Sequence, residues 1–398
     1  MELHSEKVVV LQKVSMKIER QLAQKVLLFA SQFRAIAIMG IRQSGKTTLC
    51  KMLFPEKPYV NFENIDVQLL AGQDPNAFLT KYKNSGAVFD EIQKSPTLFN
   101  YIQEVLDNES ERGKYILTGS SNFLLNQNIS QSLAGRVGFL ELLPMSNSEI
   151  NVFFKSNNSL SELIFKGGFP EIWVQNINPS FYFPSYIQSF IERDIRQLVN
   201  VKNLILFQQF IKLVATNAAQ EWNSSKISND LGVDSKTVSA WLSYLQTAGI
   251  VYLLPPYYAN FGKRIIKRPK LYLTDTGILC SLLGIQNSDQ IDNHPLKGAV
   301  FENYVILEHL KERNNSLESS NFYYWRNVSG VEIDLIIEKN GLLTPIEIKS
   351  GTTYHEKWWK NIINWQLFAN NKTPGIIIYG GTENYSFSDG RKVVSYQK

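Results

Sequence analysis

Cysteine is nearly absent from this chain: two in 398 residues, Cys50 and Cys280. They are too few and too far apart for a disulfide framework or a zinc pattern, which points to a reducing, cytoplasmic setting. Histidine is scarce too, four in the chain, and His294, His309 and His355 are too scattered to form a metal site by spacing. Long apolar runs are missing. No stretch approaches a membrane span, and the opening MELHSEK carries acidic residues instead of a signal-peptide core. Charge of one sign is missing too. A net charge of +5 does not demand nucleic acid, so any basic surface must be argued locally. There is no fixed-period repeat and no low-complexity tract. With 44% hydrophobic and 19% charged residues, what remains is a soluble globular chain of a length for two or three domains.

What is present begins with a phosphate-binding pattern. Residues 35 to 39 (AIAIM) are apolar and β-suited. Gly40-Ile-Arg-Gln-Ser-Gly45-Lys46-Thr47-Thr48 follows, and then a helix-like LCKMLF. Strand, loop and helix are the context that this motif requires. Gly40 and Gly45 let backbone N–H groups wrap phosphate oxygens without side-chain clashes. Gln43, Ser44 and Thr48 complete the cradle, and the positive end of the helix adds to anion binding. Lys46 should reach the β and γ phosphates, and the Thr47 hydroxyl should bind Mg²⁺.

A partner strand follows at residues 86 to 91, GAVFDE. Asp90 would hold Mg²⁺, and Glu91 would polarise the attacking water. A third strand, KYILTGSSN (114 to 122), ends in small polar groups, among which Ser121 and Asn122 are candidates to touch the γ-phosphate or orient water. SLAGR then supplies Arg136. It is either a stabiliser of charge on the transferred phosphoryl, in its own subunit or a neighbour, or one half of a structural salt bridge.

GIRQSGKTTL, VFDEIQKSP, LTGSS, SLAGRV and LLPMSNSEI together resemble the AAA-superfamily ATPases of bacteria and archaea that carry an uncharacterised C-terminal region. The resemblance continues through FIERDI (190 to 195) and PKLYLTDTGIL (269 to 279), and so covers nearly the whole chain. It implies ATP as the nucleotide. An Asn-Lys-x-Asp base-recognition signature of GTPases is absent.

In the middle, residues 205 to 219 have helical apolar spacing. ISNDLG (227 to 232) predicts a short helix stopped by Gly232. A second helix follows, capped by Asp234 or Ser235 and ended by Gly249, with Val238, Trp241, Leu242 and Leu245 on one face. A strand-like IVYLL comes next. This is the order of a winged helix-turn-helix. On DNA, Ser235, Lys236, Thr237 and Ser239 would face the groove. Lys263, Arg264, Lys267, Arg268 and Lys270 would lie along phosphates. The other reading is a packing or lid module with a solvated basic loop.

The C-terminal part carries VEIDLIIEKNGLLTPIEIKSG (331 to 351). Asn340-Gly341 is a two-residue hairpin signal. With those residues as the loop, facing positions put Asp334 opposite Glu347 and Glu332 opposite Lys349, all on one face. Val331, Ile333, Leu335 and Ile337 then line the other face. Carboxylates facing each other repel. A divalent metal held by Asp334 and Glu347 would compensate, with Lys349 placing a hydroxide or phosphate oxygen. The spacing resembles the restriction-endonuclease-like fold, although Ile333 stands where many members have proline. That resemblance implies a glutamate on the preceding helix, here Glu302, and Gln366 offers a further polar member. The bland alternative is a hairpin whose polar side is solvated, with Glu332 and Lys349 as a surface pair. Phe322, Tyr323, Tyr324 and Trp325 read as a buried strand.

The expected fold class is therefore α/β. Residues 1–150 form a P-loop NTPase of the ASCE/AAA type, 151–285 a helical and winged-helix domain, and 286–398 a restriction-endonuclease-like α/β domain. The expected function is a Mg²⁺-dependent ATPase coupled to a nuclease-like module that meets DNA. The alternative is a signalling or defence switch whose C-terminal half is an inactive protein-interaction module.

Overall fold

A computed structural model describes residues 18–120, 133–155, 158–191, 204–257, 268–317, 319–327 and 329–397. Ser121, Asn122, Lys263, Arg264 and Lys267 lie outside the described residues.

The first sheet holds β1 (Ala35–Gly40), β2 (Tyr59–Asn61), β3 (Ala87–Asp90), β4 (Tyr115–Ser120) and β5 (Val137–Glu141), all parallel, in the order β2-β3-β4-β1-β5. Parallel strands need both faces covered, and these read as near-continuous apolar runs for that reason. Ile36 and Ile38 point into one core with Val26 and Leu49, while Ala35 and Ala37 meet Phe89 and Leu117 in the other. β4 lies between the strand that leads into the phosphate loop and the strand that ends at Asp90.

Helix Asn147–Phe154 follows, closed by a capping box of Ser146 and Glu149. It runs across residue 150, so a domain boundary drawn there falls inside a helix. Helices Leu160–Lys166, Pro170–Val174 and Pro179–Phe190 come next. Beyond them lie helix Leu204–Thr216, β6 (Gln220–Glu221), helix Ser224–Leu231, helix Ser235–Thr247, β7 (Val251–Leu254) and β8 (Lys270–Leu273). The three strands form an antiparallel sheet in the order β6-β8-β7. Gly232 ends its helix at φ 67, and the Asp234 side chain caps the next by accepting from the Lys236 and Thr237 N–H groups. The Thr237 hydroxyl donates to the same carboxylate at 2.7 Å, so it serves the cap.

The C-terminal sheet contains β9 (Asn321–Arg326), β10 (Glu332–Lys339), β11 (Leu342–Lys349), β12 (Ile376–Tyr379), β13 (Tyr385–Ser386) and β14 (Lys392–Ser395), in the order β13-β14-β12-β11-β10-β9. Phe322, Tyr324 and Trp325 of β9 are buried. The hairpin turn has both central residues at positive φ, Asn340 at 52° and Gly341 at 77°. This matches the twist of the strands. The register runs from Lys339↔Leu342 to Leu335↔Ile346, as the turn arithmetic requires. A register shift against β9 between Ile333 and Ile336 breaks the alternation. Ile333 therefore joins Ile336, Trp359, Ile362 and Trp365 on one face, while Leu335, Ile346 and Ile348 pack on the other. The expectation that Ile333 shares a face with Leu335 is corrected by that shift.

The three parts are welded together. A single core cluster runs from Ile41 and Met145 through Phe207 and Trp241 to Tyr304, Ile346 and Val394. Past β7, the Tyr257 N–H donates to the Tyr324 carbonyl of β9, 2.7 Å.

Candidate functional site

The phosphate loop leaves β1 at Gly40, where any Cβ would lie 2.2 Å from the Leu142 carbonyl oxygen, so only glycine fits. Gln43 (φ 62) and Gly45 (φ 96) take left-handed conformations that turn the chain back toward helix Lys46–Leu53. Lys46 is buried, and its Nζ donates to the carbonyls of Gly40, 2.9 Å, and Ile41, 3.1 Å. Burial, chiefly, pulls its pKa below the usual lysine range, against the pull of Glu91 and Asp90. The Thr47 hydroxyl donates to Asp90 Oδ2, 2.8 Å. Tyr59 and Thr118 donate to the two oxygens of the same carboxylate. Glu91 sits at φ 55, uncommon for a non-glycine residue, and accepts from Gln93 Nε2. Gln93 in turn lies 3.3 Å from the Ser120 hydroxyl. The Ser44 hydroxyl is buried without a hydrogen-bond partner.

These groups line a cleft of about 710 Å³, the size of a small-molecule site. Ile18, Thr48, Pro170, Val174 and Phe190 also line it, with Glu171 and Gln175 among them. The donor set fits a nucleotide with Mg²⁺: a hydroxyl and a carboxylate already joined, a buried ammonium and an orphaned hydroxyl at the loop. Arg20, which also lines the cleft, braces the loop. It is 5% exposed and donates to the Ser44 carbonyl at 2.8 Å, the Leu143 carbonyl at 2.7 Å and Glu149 Oε1 at 3.0 Å. Sequence reasoning missed Arg20, Tyr59, Gln93 and Thr118. Arg20 and Tyr59 meet the site only through tertiary contacts, whereas Gln93 lies two residues after Glu91 within VFDEIQKSP. Thr118 sits in LTGSS, so a closer reading of that strand end would have found it.

Arg136 does not reach this cleft. Its carbonyl accepts from the Ala35 N–H, 3.3 Å, at the start of β1, whereas the loop leaves from the other end of that strand. Five strand residues separate the two ends by roughly 17 Å. Its guanidinium pairs with Asp107, with Nη2 3.0 Å from Oδ2. In this chain Arg136 is not among the residues that line the cleft.

The second cluster forms where β10, β11, β8 and the helix Lys297–Asn315 meet. Asp334 and Glu347 are both buried. The Oδ2 of Asp334 accepts from the Ile348 N–H at 2.8 Å and lies 3.5 Å from Lys349 Nζ, which also pairs with Glu347. Glu302 is there too, but its Oε1 accepts from Lys270 Nζ at 2.8 Å and from the Tyr272 hydroxyl at 2.7 Å. Lys270 also pairs with Glu332 and stands 3.7 Å from Asp334 Oδ1. Three expectations are corrected here. Glu332 pairs with Lys270 and Arg326 instead of Lys349. Lys270 is 2% exposed and cannot track phosphates from within the fold. Gln366 donates to the Thr373 carbonyl, 2.6 Å, and takes no part in the cluster.

Burial, then the neighbouring Asp334, pushes the Glu347 carboxyl up to about 8, against Lys349. Burial pushes Glu302 up to about 7; Lys270 opposes and Asp334 adds to the rise. Desolvation is the larger cause in both cases. As the side chains stand, they do not fit a divalent cation at Asp334 and Glu347. Both Asp334 oxygens face ammonium groups, and among the described residues no three His, Cys, Asp or Glu side chains converge as a metal-holding group.

Three family descriptions match the chain: "AAA domain" over residues 32–151, "Domain of unknown function (DUF8612)" over 157–289 and "Domain of unknown function (DUF4143)" over 297–398. "Uncharacterized protein Rv2008c" of Mycobacterium tuberculosis is 31% identical over 324 residues, 80% of this chain and 70% of that one. The chain belongs to the same family. A further member-like relative, an uncharacterized protein of Methanocaldococcus jannaschii, is 26% identical over 75% of this chain and 71% of that one. The Walker-type ATPase of Pyrococcus abyssi aligns with a TM-score of 0.49 and 15% identity, over 68% of this chain and 97% of that one. The N-terminal part of this family member is an AAA-type, P-loop ATPase-like domain. Among the described residues no helix is long and apolar enough to cross a membrane.

Proposed function

We propose that the chain binds ATP with Mg²⁺ and hydrolyses it, and that its nucleotide state is passed to the C-terminal module. The observation that carries this is the Thr47–Asp90 hydrogen bond, 2.8 Å, beside a buried Lys46 held by backbone carbonyls. Bound ATP and Mg²⁺ would supply the γ-phosphoryl group and the charge that neutralises its oxygens. The chain does the rest. Loop N–H groups and Lys46 bind the phosphates, Thr47 and Asp90 hold the metal, and Glu91 orients water and takes its proton. The test is Lys46→Ala. Binding of a fluorescent ATP analogue should weaken by about 100-fold or more, because charge-assisted hydrogen bonds to phosphate are lost. Unchanged binding would remove this site from the protein.

For the rest of the chain, a helix, two further helices and a three-stranded antiparallel sheet support reading residues 204–273 as a winged helix. The convergence of Asp334, Glu347, Lys349 and Glu302 on a mixed sheet supports a nuclease-like C-terminal fold. The ammonium groups on those carboxylates favour the second reading, in which this module is silent and the protein acts as a switch. Plasmid cleavage with Mg²⁺ or Mn²⁺, with and without ATP, separates the two. Nicking that disappears in Asp334→Ala supports the nuclease; none under any condition supports the switch.

A further inference from the structure

A second cavity, of about 570 Å³, lies where the ATPase-like part meets the C-terminal module. It shares no lining residue with the nucleotide cleft. Gln21, Ser146 and Ser148 form one wall, and the helix Lys297–Asn315 forms another. The floor is one face of the C-terminal sheet, with Phe322 beside Ile337 and Ile378 beside Val394. Ligand pockets of about 300–1,000 Å³ occur preferentially at junctions of this kind.

The walls are pinned to each other around the space. Lys311 Nζ donates to the Met145 carbonyl, 2.8 Å, and the Asn147 N–H donates to Glu308 Oε2, 2.6 Å. Asn315 Nδ2 donates to Gln21 Oε1, 3.1 Å. Contacts made from both sides hold the cavity open, where loosely docked surfaces would close on it.

Its polar groups point to the class of occupant. Tyr304 lines the cavity at 5% exposure, and its hydroxyl has no hydrogen-bond partner. A buried hydroxyl in that state is costly unless another molecule meets it. Among the charges, Glu308 is already satisfied by Lys311 and by the Asn147 N–H. That leaves Arg313, Lys339 and, when protonated, His309 against Glu312, whose side chain is 81% exposed. The Arg313 guanidinium lies over the Phe322 ring, 4.7 Å from its centroid, so positive charge adjoins the apolar floor.

We propose that this cavity is a second ligand site, which takes a small organic anion with a ring-bearing apolar body. The body lies on the sheet face of Phe322, Ile337, Ile378 and Val394, and the acid group faces Arg313 and Lys339. None of these residues belongs to the nucleotide cleft, so the site stands whether or not the chain hydrolyses ATP.

The test uses the full chain and two fluorescent dyes of one shape. Anilinonaphthalene sulfonate carries an acid group; N-phenylnaphthylamine lacks it. A non-hydrolysable ATP analogue with Mg²⁺ is present throughout to occupy the nucleotide cleft. The sulfonate should bind saturably and roughly tenfold more tightly than the neutral dye, the worth of one charge-assisted hydrogen bond. Lys339→Glu, at an exposed position, should abolish that preference while the neutral dye binds as it does to wild type. Ser148→Phe, at a half-buried position in the wall, should fill the cavity and exclude both dyes, whereas Ser148→Ala should admit them. Urea midpoints establish that each variant is folded, and if Ser148→Phe is not, Lys339→Glu decides. Equal affinity for the two dyes would overturn the proposal and make the cavity an apolar gap. Sulfonate binding that Lys339→Glu leaves unchanged would overturn it too, by placing the dye elsewhere. So would the absence of saturable binding, which would leave a gap filled by water.

Discussion

Lys46 and Lys349 are both lysines placed beside acidic residues, yet their charges are spent differently. Lys46 donates to two backbone carbonyls, and the nearby Asp90 is satisfied by neutral hydroxyls. Neither charge is cancelled by the other, and burial depresses the Lys46 pKa. Lys349 instead pairs directly with Glu347 and Asp334. Burial opposes its charge, but those two acids outweigh burial and raise its pKa. The first site keeps its electrostatics for something from outside. The second has spent them internally. Motifs that look equally chemical in sequence therefore separate once each ion is asked what already neutralises it.

That contrast predicts that substitutions at the first site cost function and those at the second cost stability. The largest effect should come from Glu91→Gln. Its carboxylate is the base in the proposed hydrolysis, so kcat for ATP should fall by about 10²–10⁴-fold while analogue binding persists. Steady-state phosphate release and fluorescence titration on the same sample measure both. Binding lost along with turnover would make Glu91 part of the loop's architecture instead.

Next comes Lys349→Ala. It leaves Asp334 and Glu347 buried without their nearer cation, and unfolding in urea should show a loss of about 3 kcal/mol. The pH dependence has a definite sign. Glu347 sits at about 8 in the folded chain against an ordinary value of 4.5. The folded state thus holds this proton more tightly than the unfolded one, and stability falls as pH rises through that window. Removing Lys349 takes away the partner that opposes this rise. The variant should consequently suffer more at pH 8 than at pH 5, where the carboxyl is protonated and needs no cation. A loss independent of pH would mean that the pair is packing, not charge.

The two regions also differ in how legible they were. The phosphate loop is local: nine consecutive residues impose their own backbone geometry, and Gly40 and Gly45 lie where the chemistry needs them. The hairpin register was legible for the same reason, because Asn340-Gly341 fixes which residues face each other. The failures are non-local. A shift against β9 turned Ile333 to the other face, and nothing within the hairpin signals it. Lys270, placed in a basic run by its neighbours in sequence, ended inside a carboxylate cluster assembled from residues 32 to 64 positions further on. Arg20 braces the loop from 24 residues upstream and reaches Glu149 across 129. Spacing can reveal a site's own segment, but the counter-ions arrive from elsewhere.

Arg136 gives the smallest expected effect on the fold and the sharpest use of the comparison. It is a charge at the far end of the sheet from its own phosphate loop, half-buried and paired with Asp107. A pair of this kind is worth ~0–1 kcal/mol, so Arg136→Ala should hardly move the urea midpoint. If the residue is structural only, turnover should follow wild type at every protein concentration. If it serves a neighbouring copy's γ-phosphate, wild-type turnover per chain should rise with protein concentration and Arg136→Ala should flatten that rise, while nucleotide affinity in dilute solution stays the same. Its charge would then belong with that of Lys46, left unspent within its own subunit, and the pairing with Asp107 would be the state of the free chain.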